Sequence, residues 1–412
     1  MVLFKVIILF LKWIWYCLLY PFKNNLPNNN NNNNNNKKYI KLIKQNDLYE
    51  YGVKFGGNNV VTRQLNKTCH ELYEFDKNTE LNKKSIKLSK GQYFNCYGCM
   101  KCANSMHPVY VFSCKKCGQL FQQNRNLTRN LKNHVALVTG SRTKLGHQIT
   151  LKMLRAGAIV IGTTRFPTKA MEIYEKYSDF NEWKDSLIIY PKSIDFDKPD
   201  MIQMIAELYN FIDQEYGKLD VLVNCAAQTI RVREKEKKMD IDKTNRYGDA
   251  QFVQEKSINS WQMKLEDLIQ TEMEEVYRIN AIAPCLMIQS LISLLKKSKV
   301  NPYIINVHAR EGLIDVGHKN PNHIHLNMAK SGMSMLTRSL IDCKFKTDDG
   351  KQIYINGCDP GWISVDEYYE KNRPWVVPPL DEIDGASRVL YPLFTKLNSS
   401  RKTRRHYNLL SY

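Results

Sequence analysis

The sequence predicts an α/β fold in which helices wind over both faces of a parallel sheet. Three features predict it. Residues 135–166 run as an apolar strand, a glycine-containing turn, an amphipathic helix and a second apolar strand, which together make a βαβ unit. Beyond them short apolar runs keep alternating with helical periodicity to about Phe394, and strands apolar on both faces belong to a sheet covered on both sides. Charge is also partitioned. Residues 1–134 hold 21 Lys/Arg against 6 Asp/Glu, and the remaining 278 residues hold 39 against 35. Most of the +19 excess therefore belongs to an N-terminal appendage and not to the α/β body.

Taken in order, residues 1–22 are almost wholly apolar and aromatic. Their length approaches the roughly 20 residues that cross a bilayer, so a hydrophobic membrane-anchor helix is expected, spanning or interfacial. Trp13, Trp15 and Tyr16 suit an interface, although Lys5 and Lys12 interrupt the run. Lys23, Lys37, Lys38, Lys41 and Lys44 follow it and place the body on the cytosolic side. Residues 23–90 are an Asn/Lys-rich low-complexity linker whose asparagine tract, 28–36, cannot build a core.

Residues 91–133 carry the next signal. Cys96-x-x-Cys99 and Cys114-x-x-Cys117 are separated by 14 residues. Each pair aims two thiolates at one point, and two pairs complete a tetrahedral site for a structural zinc, as in a zinc ribbon. Gly98 and Gly118 suit the sharp knuckles, and Cys102 and His107 are spare candidates.

Residues 134–396 form the body, and 397–412 a basic tail. After the first βαβ unit, strands are expected at 187–190, 221–223, 303–307 and 353–355, with helices at 199–216, 265–295 and 327–345. In the first turn, Thr139 and Gly140 end the strand and Gly146 lets the helix pack close. The amides between them face a phosphate at the helix N-terminus.

The motifs TGSRTKLG at 139–146, Asp195, NCAA at 224–227, Asn280, Lys330 and DPGW at 359–362 stand in one order along the chain. On them, residues 134 to about 395 resemble the short-chain dehydrogenase/reductase family, with a Rossmann-type dinucleotide fold. The resemblance implies an oxidoreductase moving hydride between NAD(P)(H) and a carbonyl/alcohol substrate. Asp195 would then face the adenine, Asn224, Cys225 and Ala226 the ribose side, and Pro360 and Gly361 the nicotinamide end. Lys144 stands where the family has a glycine. Thr164 replaces the carboxylate that selects NAD, and Arg165 with Arg142 would pair with a 2′-phosphate, so NADP is favoured over NAD. The resemblance also implies a homodimer through the helices carrying Asn280 and Lys330. It makes a packing role for the zinc module a better reading than nucleic-acid binding.

Two positions depart from the family. Leu326 stands where its proton-donating Tyr belongs, four residues before Lys330, and Ala309 replaces its Ser. Lys330 and Asn280 are retained as catalytic candidates, and His325 is the nearest substitute acid. The alternatives to an atypical oxidoreductase are a nucleotide-binding pseudoenzyme and a membrane-anchored scaffold. A polar, charge-rich insertion, 231–259, adjoins the expected substrate cleft.

Overall fold

A computed structural model describes residues 86–87, 93–110, 112–229, 239–244, 250–252, 260–261, 263–314, 319–363 and 378–397. Every one of them belongs to the unit Gln45–Tyr412. The expected anchor (1–22), nearly all of the linker, most of the insertion 231–259 and the tail beyond 397 lie outside the described residues.

Four two-residue strands come first: β1 (Ile86–Lys87), β2 (Phe94–Asn95), β3 (Cys102–Ala103) and β4 (Ser105–Met106). Here β2 pairs antiparallel with β3, and β1 with β4. Helix α1 (Lys115–Arg125) follows. The body then runs β5 (Val135–Thr139), α2 (Lys144–Arg155), β6 (Ile159–Thr163), α3 (Pro167–Tyr174), α4 (Phe180–Trp183), β7 (Leu187–Ile189), α5 (Met201–Tyr216) and β8 (Val221–Asn224). A small antiparallel pair, β9 (Met239–Thr244) and β10 (Ala250–Phe252), lies in the insertion. The chain continues with α6 (Gln270–Tyr277), α7 (Ala283–Lys296), β11 (Tyr303–Val307), α8 (Ile324–Asp342), β12 (Tyr354–Cys358) and α9 (Glu382–Thr395).

Six strands form one parallel sheet in the order β7-β6-β5-β8-β11-β12. The doubly wound fold read from the sequence is therefore the fold observed. Alternate side chains along each strand face opposite sides. Ala136, Val138, Val160 and Val223 pack with Ile149 and Leu154 of α2 and Leu390 of α9. Leu137, Ile161, Leu222 and Ile304 pack with Leu208 of α5 and Leu291 of α7. The continuous apolar strands follow from this two-sided cover.

Boundaries differ most at two places. The last strand starts at Tyr354 and runs to Cys358, because Asn356, Gly357 and Cys358 continue the parallel register with Ile305, Asn306 and Val307 of β11. The single helix expected over 265–295 is broken into a short 3₁₀ turn (Leu265–Asp267), α6, a π-helical turn (Arg278–Ile282) and α7. Taken together, Gln270–Lys296 is the described helix long and apolar enough to cross a membrane. More than half of its most apolar stretch is buried, where Met287, Leu291 and Leu294 serve the core.

Polar ties fix the elements the core leaves free. Asp220, fully buried at the start of β8, accepts from Val135 N (2.8 Å), Lys218 Nζ (2.7 Å) and Ser298 Oγ. Arg125 at the end of α1 pairs with Asp381 (2.6 Å) and Asp384 (3.0 Å) at the start of α9, and Tyr110 donates to Asp384 Oδ1 (2.9 Å). Asp381 also caps α9 by accepting from Asp384 N. The cysteine-bearing segment is thus joined to the body by a buried ion cluster. Arg125→Ala leaves two carboxylates without their cation and should cost about 3 kcal/mol in denaturant unfolding. A change under about 1 kcal/mol would show that this cluster does not secure α1.

Candidate functional site

Between β5 and β8 the strand order reverses, and the crevice at the carboxyl ends of the strands opens there. Thr139 Oγ1 accepts from Cys225 N (3.0 Å) and Ala226 N (2.9 Å), so the ends of β5 and β8 are tied by one hydroxyl. Gly140 N and Ser141 N both donate to Thr163 O (2.9 and 3.1 Å), which adds β6. Gly140 has φ +72°, and a Cβ there would stand 2.9 Å from Ala226 Cα. A Cβ on Gly146 would overlap the Gly140 carbonyl. The helix α2 therefore starts hard against the turn, with its first amides at the crevice. Lys144 holds φ +51°, the left-handed conformation that a glycine adopts without strain. The backbone has kept the bend although the residue has changed.

The rim beyond β6 carries positive charge. The Arg142 and Arg165 guanidinium groups lie 5.2 and 5.6 Å from the centroid of the Phe166 ring, so one aromatic ring gathers both. Thr164 is buried and its Oγ1 accepts from Phe166 N (3.2 Å), which leaves a neutral side chain beside the two cations. Asp195 follows β7 and accepts from Asp197 N (3.2 Å).

At the other side of the crevice Lys330 is buried, and its Nζ donates to Val307 O (3.2 Å). Burial lowers its pKa, against the opposing influence of Cys225, Glu311 and Asp359. Asn280 sits in the π-helical turn and donates from Nδ2 to Gln228 O and Val276 O (both 2.9 Å). Its buried Oδ1 has no protein partner among the described residues. Asp359 leads the DPGW loop, accepting from Gly361 N (2.8 Å), while Arg388 Nε donates to the Asp359 carbonyl (3.2 Å). Gly361 has φ +83°.

The structure does not bring His325 to Lys330. His325 is buried, and the charges around it are His323 and Glu272 of α6, none of which neighbours Lys330. Five residues along a helix turn a side chain through about 140°, which is why nearness in sequence misleads here. Leu326 is also buried and packs with Val276, Ala329 and Trp261. The sequence reading missed a polar chain behind Lys330. Asn224 Nδ2 donates to Asn306 Oδ1, Asn306 Nδ2 to Thr337 Oγ1, and His308 Nε2 meets the same hydroxyl, each at 2.9 Å. Thr337 already donates to Met333 O, so His308 is assigned its proton on Nε2. The available signal was two polar residues, Asn306 and His308, at the end of an otherwise apolar strand.

The Sγ atoms of Cys96, Cys99, Cys114 and Cys117 lie within 4.8 Å of one another. A tetrahedral zinc with bonds of about 2.3 Å needs sulfurs about 3.8 Å apart, so the set fits with a small contraction. Cys96 N donates to Lys101 O and Met100 N to Cys96 O, closing the first knuckle; the second opens α1. Burial raises the Cys96 thiol to about 11, with the neighbouring thiols adding to it, and a cation would reverse that. His107 stands outside the cluster, accepting at Nδ1 from Val109 N (3.2 Å) and Tyr110 N (3.1 Å), and Cys102 is outside it too.

The family model described as short chain dehydrogenase matches residues 134–374. An uncharacterized protein of Acanthamoeba polyphaga mimivirus is 34% identical over 365 residues, covering 79% of this chain and 76% of that one. A Mus musculus protein named carbonyl reductase (NADPH) 3 is 28% identical over 256 residues, covering 57% and 83%. A Burkholderia cenocepacia short chain dehydrogenase solved in complex with NADP superposes with a TM-score of 0.47 at 15% identity, covering 64% of this chain and 92% of that one.

Two outcomes follow from this geometry. Lys144→Gly relieves a left-handed lysine and should raise unfolding stability by about 1 kcal/mol; a loss of stability would show that the lysine side chain compensates for its backbone. His147 and His308 are held neutral by burial, with pKa values pushed down to about 4 and about 3. Their folded values lie below the unfolded 6.5, so the unfolded chain takes up protons first as pH falls. Their contribution is present above pH 6.5 and should drop by about 1 kcal/mol per histidine between pH 6.5 and 5.5. Denaturant titrations of wild type and the His147→Gln, His308→Gln double variant would measure it; equal pH slopes would refute the assignment.

Proposed function

The chain belongs to the short chain dehydrogenase family of NAD(P)-dependent oxidoreductases, and from that premise we propose that it binds NADP(H) in the β5–β8 crevice and reduces or oxidises a carbonyl/alcohol substrate. The observation that carries this reading is the joined turn, with its tight glycines, set opposite a buried Lys330 and rimmed by the Arg142–Arg165 pair.

The amides between Gly140 and Gly146 would hold the pyrophosphate, and Arg142 and Arg165 the 2′-phosphate. Asp195 would face the adenine, Asn224, Cys225 and Ala226 would line the ribose side, and Pro360 and Gly361 the nicotinamide end. Thr139 builds the pocket through its two amide contacts. When bound, NADP(H) supplies or accepts the hydride. Of positions 280, 309, 326 and 330, Lys330 alone carries an ionisable proton. Its buried ammonium gives up that proton more readily than a solvated lysine, and it is the group proposed to serve the substrate oxygen. Asn280 Oδ1 is proposed to orient a water towards it. The named activity of the mouse relative supports the NADPH preference and the carbonyl substrate class.

A second reading, nucleotide binding without turnover, is favoured by the packing of Leu326 into an apolar cluster where a proton donor is expected. The four cysteines are proposed to hold one structural zinc. Tyr277, Ile282, Met328 and Met335 are exposed on α6, the π-helical turn and α8, and this apolar face is proposed to pair two copies of the chain.

Fluorescence titration should give tighter binding of NADPH than of NADH. The Arg142→Ala, Arg165→Ala double variant should weaken NADPH about tenfold or more and leave NADH unchanged. At saturating NADPH a panel of carbonyl compounds should oxidise the cofactor, and Lys330→Ala should abolish this. Tight binding with no oxidation by any compound would replace the enzyme by the second reading. Met335→Glu should convert a dimer to a monomer by light scattering; a wild-type monomer would remove the pairing proposal.

A further inference from the structure

The first cysteine knuckle reaches into the DPGW loop. Tyr97 lies between Cys96 and Cys99, and its hydroxyl accepts from Trp362 N at 2.7 Å, across 265 positions of chain. Its own backbone is fixed, because Tyr97 N donates to Phe112 O (2.7 Å). Its ring meets Phe121 of α1 edge-on, with centroids 6.4 Å apart. The next residue, Gly98, has no space for a side chain, since a Cβ would stand 2.8 Å from Cys117 Cβ. Tyr97 is thus held within the first cysteine pair by Phe112 and Phe121, with its neighbour Gly98 packed tightly on Cys117 of the second.

The loop it holds is part of the crevice. Asp359 is among the charges around Lys330, and the Arg388 guanidinium holds its carbonyl. Around Gly385 of α9 lie Pro360, Ile363 and Leu145, the last from the first turn of α2. Ile363 also packs on Val109, Tyr110, Phe121 and Leu380, which are shared between the cysteine segment and the body. The loop thus shares Gly385 with Leu145 of α2 and bonds to the knuckle, and its Asp359 is among the charges around Lys330. The backbone amide of Trp362 is the point at which the cysteine segment grips it.

We infer that Tyr97 is a positioning residue of the dinucleotide site, through which metal bound by Cys96, Cys99, Cys114 and Cys117 holds the DPGW loop in its binding conformation. This rests on the dinucleotide and zinc readings above. Metal closes the knuckle, the knuckle fixes Tyr97, and Tyr97 fixes Trp362. Loss of metal frees the hydroxyl to move and relaxes the nicotinamide side of the crevice. The phosphate turn, tied separately through Thr139 and Thr163, stays formed. The metal centre therefore acts on affinity for both forms of the cofactor, and the arginine pair on the choice between them.

The test uses the full chain as wild type, Tyr97→Phe and the exposed-surface control Lys116→Ala, each with zinc and after chelation. Zinc per chain is measured by atomic emission, and dissociation constants for NADPH and NADH by fluorescence. Tyr97→Phe should retain zinc and bind both cofactors about fivefold more weakly, the loss of about one net hydrogen bond. Chelation should weaken wild type at least as much, add nothing further to Tyr97→Phe, and be reversed by zinc; Lys116→Ala should match wild type throughout. A zinc-loaded Tyr97→Phe with wild-type affinity overturns the inference while leaving both underlying readings standing. Wild type that carries no zinc overturns the metal reading and this inference with it, and zinc-loaded wild type whose affinities chelation leaves unchanged overturns the inference alone. Wild type that holds zinc and binds neither cofactor overturns the dinucleotide reading instead.

Discussion

One hydroxyl holds the end of the sheet together. Right-handed crossovers send the chain from β5 towards one edge and from β8 towards the other, so the adjacent ends of these strands would part without a tie. Thr139 Oγ1 supplies it by accepting the Cys225 and Ala226 amides, and Thr163 O draws in the Gly140 and Ser141 amides from the same turn. Gly140 and Gly146 are required because the strand ends and the start of α2 then come within touching distance. The start of α2, the arginine-bearing rim and the end of β8 all take their places from this closure.

The body was legible in the sequence because its periodicities are strong: apolar runs on both faces gave the strands, and helical spacing gave the cover. The cysteine spacing was legible for the same reason, since two C-x-x-C pairs are local geometry. Contacts between distant parts were not. Nothing near Tyr97 points to Trp362, and nothing near Arg125 points to Asp384, because such pairs exist only once α1, α9 and the DPGW loop have met. His325 is the nearest substitute acid in the sequence, five residues from Lys330 and so off its helical face unless it precedes the helix; the helix includes it, and Glu272 of α6 is among the charges around it.

Lys144 and Leu326 are both departures from the family pattern, and they differ in kind. At Lys144 the backbone holds a left-handed bend that suits a glycine, so the lysine adds a charge and some strain to it. At Leu326 the surroundings suit the residue: Val276, Ala329 and Trp261 pack around it, and a phenol there would bury a hydroxyl in an apolar cluster. The first change is compatible with the phosphate turn's function. The second leaves no proton donor at position 326, so the proposed chemistry would draw its proton from elsewhere.

That shifts weight onto how the remaining groups are held. Lys330 is placed by Val307 O and by α8, whose Thr337 is pinned through Asn306 and His308 to the neighbouring strands. The DPGW loop is placed from the opposite side, by Arg388 and by Tyr97. A group that works without a phenolic partner tolerates little displacement, because proton transfer falls off steeply once hydrogen-bond distance is exceeded. The cysteine segment is fastened to α9 by a buried ion cluster and to the loop by the Tyr97 hydroxyl and the packing of Ile363, so on the proposed reading it is a wall of the site and not an ornament on its surface.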